Sequence, residues 1–296
     1  MFKVMVPATS ANLGPGFDCM GVALNVYNTI EVEEVGEGLQ IETNDPLNRI
    51  PLNENNLIYK SMKAVFDIVG YTPKGLRIVQ TNDIPMTRGL GSSAACIVGG
   101  VFAANQIVKQ KLNFSDLSLL AAKLDGHPDN TTPAIMGGIA VAVLEEKELF
   151  HVKLDIPDNI KFAAFIPDFT LSTAKARKIL PQRISHKDAV FNVGRAALLL
   201  ASLINGNFEN LSCAFKDRLH QPFRRKLIPN MDKILSESMQ CGARGGYISG
   251  AGPTLIAILD KNYEEFYMQM NNYIKFLDYK WELKLLELSK KGVEVL

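Results

Sequence analysis

Between Pro85 and Ala95 the chain reads Pro85-Met86-Thr87-Arg88-Gly89-Leu90-Gly91-Ser92-Ser93-Ala94-Ala95, a stretch whose residue types suit phosphate chemistry. Glycines let a backbone come close to an anion. The Ala, Ile and Val that follow predict a helix from Ser92 or Ser93 to about Lys109, with a serine hydroxyl at its N-cap. The N-terminus of such a helix offers unpaired N–H groups and about half a positive charge from its dipole. Of the two adjacent serines, one hydroxyl can bond a phosphate oxygen and the other can reach a magnesium ion. Two common phosphate loops fail on spacing: Ser92 stands where a Walker A loop needs Lys, and Ala94 where a dinucleotide fingerprint needs its third glycine. Taken alone the stretch also fits a capped helix after a tight turn, so its neighbours have to decide.

Residues 2–6, 22–35 and 76–80 are rich in Val and Ile and read as strands, the last leading into the loop. Residues 55–69 place Leu57, Ile58, Met62, Val65, Phe66 and Val69 at helical spacing and stop at Gly70, the pattern of an amphipathic helix with a glycine end. Gly99 and Gly100 interrupt the helix after the loop. Each costs about 1 kcal/mol against Ala, which close packing against a neighbouring element would offset. A further helix at 115–124 ends at Asp125-Gly126, and 138–144 reads as a buried strand. The charged run Glu145-Glu146-Lys147-Glu148 predicts a turn. Strand 160–166 then opens a second half with a long helix at 187–203, an Arg-rich turn at Arg224-Arg225-Lys226, a helix at 231–239, strands near 246–248 and 254–259, and a final helix and strand. Interleaving of this kind predicts an α/β or α+β sandwich architecture, the α+β form being one of two-layer α/β sandwiches, with a boundary near residue 155.

Composition narrows the function classes. At 296 residues, 47% hydrophobic and 21% charged, the chain has the make-up of an ordered globular protein. Its 32 Lys+Arg against 31 Asp+Glu leave a formal charge of +1, so no global field draws nucleic acid or an anionic membrane, and any anion site must be local. No apolar run approaches the ~18 residues of a membrane span, and the first residues are too short a run for a signal peptide, which predicts a cytoplasmic protein. Cys19, Cys96, Cys213 and Cys241 form no Cys-x-x-Cys pair, so reduced thiols are expected. A homodimer is possible on this composition.

Residues 85–95 resemble the second motif of the GHMP kinases (galactokinase, homoserine kinase, mevalonate kinase, phosphomevalonate kinase), Pro-x-x-x-Gly-Leu-Gly-Ser-Ser-Ala-Ala. Two further segments match in order. Pro7-Ala8-Thr9-Ser10-Ala11-Asn12-Leu13-Gly14-Pro15-Gly16-Phe17-Asp18 is similar to the first motif, and Ser249-Gly250-Ala251-Gly252-Pro253-Thr254 to the third. The resemblance spans almost the whole chain. It implies a GHMP kinase fold, with an N-terminal domain (1–155) like domain 2 of ribosomal protein S5 and a ferredoxin-like C-terminal domain (156–296). It also implies ATP in the cleft between them, wrapped by residues 85–95, with Mg²⁺ held by Ser93 and an acidic residue.

The wording of the first motif resembles the homoserine kinases of that group, which implies phosphorylation of the side-chain hydroxyl of L-homoserine in threonine biosynthesis. Physically, Asn12 and Asp18 sit in a glycine-punctuated loop after a strand and can present an amide and a carboxylate to a ligand's hydroxyl and ammonium. His127-Pro128-Asp129-Asn130 resembles the His-x-Asp-Asn segment near the homoserine site. Arg177, in the run that holds Thr173, and Arg224 match positions that hold the amino acid's carboxylate, a task that suits the bidentate guanidinium fork. Gly250 completes the implied substrate set, and Arg225 and Lys226 read as a solvated face. Asn12, Asp18, Asp129 and Asn130 are the catalytic candidates, none assigned as proton acceptor. Two departures stand out: Asp125, the implied metal ligand, replaces a Glu, and Gln221 replaces a Glu that could orient Arg224. A kinase acting on a mevalonate- or shikimate-like alcohol, and a ligand-binding paralogue without turnover, are the alternatives; the former's substrate would bring no ammonium to Asp18.

Overall fold

The computed structural model describes residues 1–46 and 49–296. Its first half runs β1 (Phe2–Ala11), β2 (Met20–Val35), β3 (Gly38–Thr43), α1 (Leu57–Val69), β4 (Gly75–Asn82), α2 (Ser92–Ile107), α3 (Phe114–Asp125), α4 (Pro128–Met136), β5 (Ile139–Leu144) and β6 (Leu149–Leu154). The second runs β7 (Lys161–Pro167), α5 (Thr173–Lys178), α6 (His186–Ile204), α7 (Leu211–Ala214), α8 (Gln221–Arg224), α9 (Met231–Gln240), β8 (Gly245–Ile248), β9 (Leu255–Leu259), α10 (Tyr263–Tyr273), β10 (Trp281–Glu287) and β11 (Glu294–Val295).

The first sheet is built on the antiparallel β1–β2 pair and has the order β11-β1-β2-β4-β3, with β5 and β6 added at the other end of β2. Among the described residues only β3–β4 is parallel within it. α2 lies on this sheet as a helix apolar all round, buried without a break from Ala94 to Asn105, as a central core helix must be. Gly99 and Gly100 explain how it comes so close. A Cβ on Gly99 would stand 2.2 Å from the Ile30 side chain of β2, and one on Gly100 2.6 Å from the Ile58 carbonyl oxygen of α1. α1 begins where the Asn56 side chain accepts from the Ile58 and Tyr59 N–H groups, and ends at left-handed Gly70.

The second sheet is antiparallel in the order β10-β7-β9-β8. Numbered within this half, that is strand order 4-1-3-2 on a β-α-β-β-α-β chain, the ferredoxin-like arrangement. The chain passes from one sheet to the other between Leu154 and Lys161. It also goes back: β11 pairs with β1, and Leu24 bridges Leu288, so the C-terminal segment closes the first sheet rather than staying with the second. The run at Glu145 to Glu148 is a hairpin tip within the first sheet, closed by Glu145 N–H donating to the Glu148 carbonyl at 2.9 Å.

Candidate active site

β4 and α2 meet at the phosphate-type loop. Gly89 and Gly91 both have left-handed backbone, at φ +80° and +70°. Their space is closed as well: a Cβ would stand 2.4 Å from the Ser249 carbonyl oxygen at Gly89 and 1.9 Å from Thr9 Oγ1 at Gly91. Gly91, and not a serine, is the N-cap of α2, and no side chain bonds there. The serine N-cap predicted above is therefore corrected, with a physical consequence. A serine in that role would satisfy a first-turn N–H with its own hydroxyl; glycine leaves those donors for a ligand and puts Ser92 and Ser93 inside the first turn.

The three sequence motifs are stitched around this loop. Thr9 N–H donates to the Leu90 carbonyl at 3.1 Å, Thr254 N–H to the Arg88 carbonyl at 3.1 Å, and Gly250 N–H to the Ala11 carbonyl at 3.1 Å. Ser249 Oγ donates to the Gly89 carbonyl at 2.5 Å. Asn12 bridges within the same knot: its Nδ2 donates to the Gly250 carbonyl at 2.8 Å, and its Oδ1 accepts from Asp18 N–H at 3.0 Å. Both ends of the Asn12 amide thus hold the loop that presents Asp18.

Asp18 faces Arg177 of α5. Nη2 lies 2.7 Å from Oδ1 and Nη1 3.1 Å from Oδ2, a two-pronged ion pair. His127, at the N-cap of α4, places Nε2 3.7 Å from Asp18 Oδ2. Desolvation, with Arg177 adding to it, lowers the His127 pKa although Asp18 opposes. Arg224 arrives from α8 and is 1% exposed. Its Nε donates to the Ala176 carbonyl at 3.3 Å, and Nη1 to the Gly250 carbonyl at 2.9 Å. Desolvation and then Arg177 lower its pKa to about 10, which still leaves it charged at neutral pH. Among the described residues this leaves Nη2 as the corner for a ligand. In this arrangement Arg177 has its fork on Asp18, and Arg224 offers one edge. The Phe17 ring lies under both, 5.6 Å from the Arg177 and 5.3 Å from the Arg224 guanidinium carbon.

Two further carboxyls complete the acid side. Desolvation raises Asp125 to about 6 against the pull of Arg177. Desolvation, then Asp18 and Asp125, raises Asp129 to about 7. Asn130 is turned by Thr9, whose Oγ1 donates to its Oδ1 at 2.8 Å, which leaves Nδ2 as the donor end: one N–H goes to Asp129 Oδ1 at 3.4 Å and the other is available to a ligand.

These groups line one cavity of about 430 Å³. Its wall takes Asn12, Asp18, Pro85, Thr87, Gly89, Leu90, Gly91, Ser92, Ser93, Ala94, Asp125, His127, Asp129, Asn130, Thr173, Arg177, Arg224 and Gly250 from the predicted set. Met86, Arg88 and Ala95 stand outside that wall. Arg88 turns away, its Nε and Nη2 donating to the Pro167 and Asp168 carbonyls at 2.8 and 2.7 Å, and so ties the loop to the end of β7. Gln221 makes no bond to Arg224: its amide donates to the Phe215 carbonyl and accepts from Ile248 N–H. Arg225 pairs with Asp232 on the surface, as a solvated face would. Sequence reasoning missed Leu171, Ser172, Ala251 and Gly252 on the wall and Thr9, Phe17 and His220 behind it. The four-residue spacing of His220 and Arg224 was the one signal available for the last of these.

Residues 56–138 match the family profile described as the GHMP kinases N terminal domain, and residues 196–272 the profile described as GHMP kinases C terminal. The chain belongs to the GHMP kinases. A homoserine kinase of Caldicellulosiruptor saccharolyticus is 53% identical over 297 residues, covering 100% of this chain and 96% of its own. The solved structure of a homoserine kinase from Cytophaga hutchinsonii superposes with a TM-score of 0.89 at 28% identity, over 100% of this chain and 97% of that one. A mevalonate kinase structure from Methanococcus jannaschii shares the fold, with a TM-score of 0.73 at 19% identity over 97% of this chain and 98% of the other. As a GHMP kinase the chain has its three motif segments on one cavity, with the glycine loop and the entrance of α2 on one side of it.

Proposed function

We propose that this GHMP kinase transfers the terminal phosphoryl group of ATP to the side-chain hydroxyl of L-homoserine, giving O-phospho-L-homoserine and ADP. One observation carries the reading: the uncapped entrance of α2 and the Asp18, Arg177 and Arg224 group open on the same cavity. The first suits a polyphosphate. The second suits an ammonium beside a carboxylate, the headgroup of an amino acid, and the relatives named homoserine kinase at 53% identity support that substrate.

In this mechanism the Gly89 and Gly91 backbone and the first-turn N–H groups hold the β- and γ-phosphates. Asp18 takes the ammonium, and Arg177 and Arg224 the carboxylate, so that the side-chain oxygen points along the cavity toward the phosphate. That oxygen forms the new bond to phosphorus as the bond to the ADP oxygen breaks. Transition states of this kind are loose, so the hydroxyl proton leaves late, to a phosphoryl oxygen or to water, and no strong base is required. The remaining N–H of Asn130 Nδ2 would hold that oxygen or a phosphoryl oxygen in line, a role supported by its position on the cavity wall.

A magnesium ion fits the donor set. Ser93 and Asp125 offer hard oxygen ligands on the cavity wall, and among the described residues no group of three His, Cys, Asp or Glu could hold a metal alone, as suits an ion carried by phosphate oxygens. Bound there, it would neutralise phosphate charge. Among the described residues no helix is long and apolar enough to cross a membrane, and we place the reaction in the cytoplasm with its nucleotide. The test is ADP release with homoserine, mevalonate and shikimate, the product checked by phosphorus NMR. Turnover with homoserine alone is expected; turnover with a hydroxy acid and none with homoserine rejects the reading.

A further inference from the structure

We propose that His220 is a positioning residue for Arg224, standing as a neutral acceptor between that guanidinium and the Gly14 carbonyl of the first-motif loop. The inference rests on reading Arg224 as a carboxylate contact. His220 precedes α8 and Arg224 ends it, four residues on, so both side chains leave the same face.

The ring is fully buried, and each of its nitrogens has one hydrogen-bond partner of fixed polarity, with Asp217 Oδ2 a further neighbour 3.7 Å from Nε2 that also favours a proton there. Nε2 lies 2.7 Å from the Gly14 carbonyl oxygen, which can only accept, so Nε2 carries the proton. Nδ1 lies 3.2 Å from Arg224 Nη1, which can only donate, so Nδ1 is bare. The two contacts select one tautomer and exclude the imidazolium, whose second N–H would oppose a guanidinium N–H. Burial pushes the ring pKa down, and Arg224 adds to it against the opposing Asp217.

The ring cannot swing away. Phe17 stacks on it with centroids 5.0 Å apart and planes 24° from parallel. Asp217 anchors the turn beneath, accepting from the Leu219, His220 and Gln221 N–H groups at 2.9, 2.9 and 2.6 Å and from Asn192 Nδ2 at 2.7 Å. Gly14 belongs to the loop that presents Asp18. His220 therefore sets the distance between the group that takes the ammonium and the group that takes the carboxylate, a length to which an amino-acid headgroup is sensitive.

Three variants separate the two ring contacts. His220→Ala removes both; His220→Asn brings an amide oxygen near the place of Nδ1; His220→Gln reaches toward the place of Nε2. With His220→Ala the KM for homoserine should rise about tenfold, the cost of one bond to a charged group, while the KM for ATP stays within about twofold. His220→Asn should recover most of that loss and His220→Gln little of it. Equal behaviour of Asn and Gln, or a parallel rise in the KM for ATP, overturns the proposal. Should the variants fail to fold, the imidazole nitrogen NMR spectrum of the unaltered protein decides: a pyrrole-type Nε2 and pyridine-type Nδ1 are expected, and the opposite tautomer or a protonated ring overturns it. If the unaltered enzyme does not turn over homoserine, the substrate reading has failed, and the ring spectrum still judges His220 separately.

Discussion

The Asp18 carboxylate and the Arg177 guanidinium, 159 residues apart in the chain, meet in a two-pronged ion pair at 2.7 and 3.1 Å across the mouth of the cavity. Each is half-exposed, and each is the natural partner of one end of a zwitterion. An amino acid can enter by ion-pair exchange, its ammonium replacing Arg177 on Asp18 and its carboxylate replacing Asp18 on Arg177. A hydroxy acid would strand Asp18 when it took Arg177.

That exchange predicts how Asp18→Asn behaves. The substitution frees Arg177 and removes the ammonium partner, so the KM for homoserine should rise about 30-fold, within the range of a lost charged hydrogen bond. Preference should shift toward 2,4-dihydroxybutanoate, the analogue with hydroxyl in place of ammonium. Competition kinetics between the two substrates measure this directly, and an unchanged ratio would remove Asp18 from the ammonium site.

The two arginines should part company under alanine substitution. Either change raises the KM for the amino acid and leaves that for ATP nearly unchanged. Arg177 is partly exposed, so Arg177→Ala should leave the melting temperature within about 2 °C, as for surface changes. Arg224 is buried and tied to Ala176, His220 and Gly250, so Arg224→Ala should also cost about 3 kcal/mol, since carbonyls and a ring are left without their donor. Paired calorimetry and kinetics on both variants would show the contrast; equal melting temperatures would contradict it.

A third expectation concerns the loop itself. In Gly91→Ala the new methyl would meet Thr9 Oγ1 and the residue would be held at φ +70°. Thr9 also turns the Asn130 amide, so the clash reaches both the phosphate cradle and its neighbour. The ATP dissociation constant, read by titration calorimetry, should rise at least about tenfold, and kcat should fall by a larger factor because alignment is lost. Unaltered ATP binding would show that this entrance does not hold the nucleotide.

How much of this was legible before the fold was known depends on the range of the interactions. The glycine loop and α2 were readable because the conformational need and the residue type sit at one place in the sequence. β3 and β6 were not: both are six-residue strands at the ends of their sheet, with half or more of each exposed to solvent and no apolar run to mark them. α4 escaped notice because Thr131, Thr132 and Pro133 break its periodicity; β2 supports it from below, where Gly21 packs against the Asp129 carbonyl that Pro133 leaves without an N–H. Asn12 was legible as a loop residue of the site, but its partners Gly250 and Asp18 N–H emerge only on folding. The same holds for His220, whose spacing to Arg224 was visible while the Gly14 carbonyl, 206 residues away, was not.

Asp129 supplies a stability prediction whose sign can be worked out. The residue is 5% exposed, and desolvation with the nearby Asp18 and Asp125 charges raises its pKa from 3.8 to about 7. Between those values the folded protein keeps a proton that the unfolded chain releases, so this contribution is complete in acid and is lost as the pH rises through about 7. Asp129→Asn is neutral throughout and escapes that loss. Its melting temperature relative to the unaltered protein should therefore increase from about pH 5 to about pH 8, by roughly 5 °C for a gain of about 2 kcal/mol. Differential scanning calorimetry at the two pH values tests it, and a difference that shrank with rising pH would show that Asp129 is held as a stable carboxylate in the folded protein.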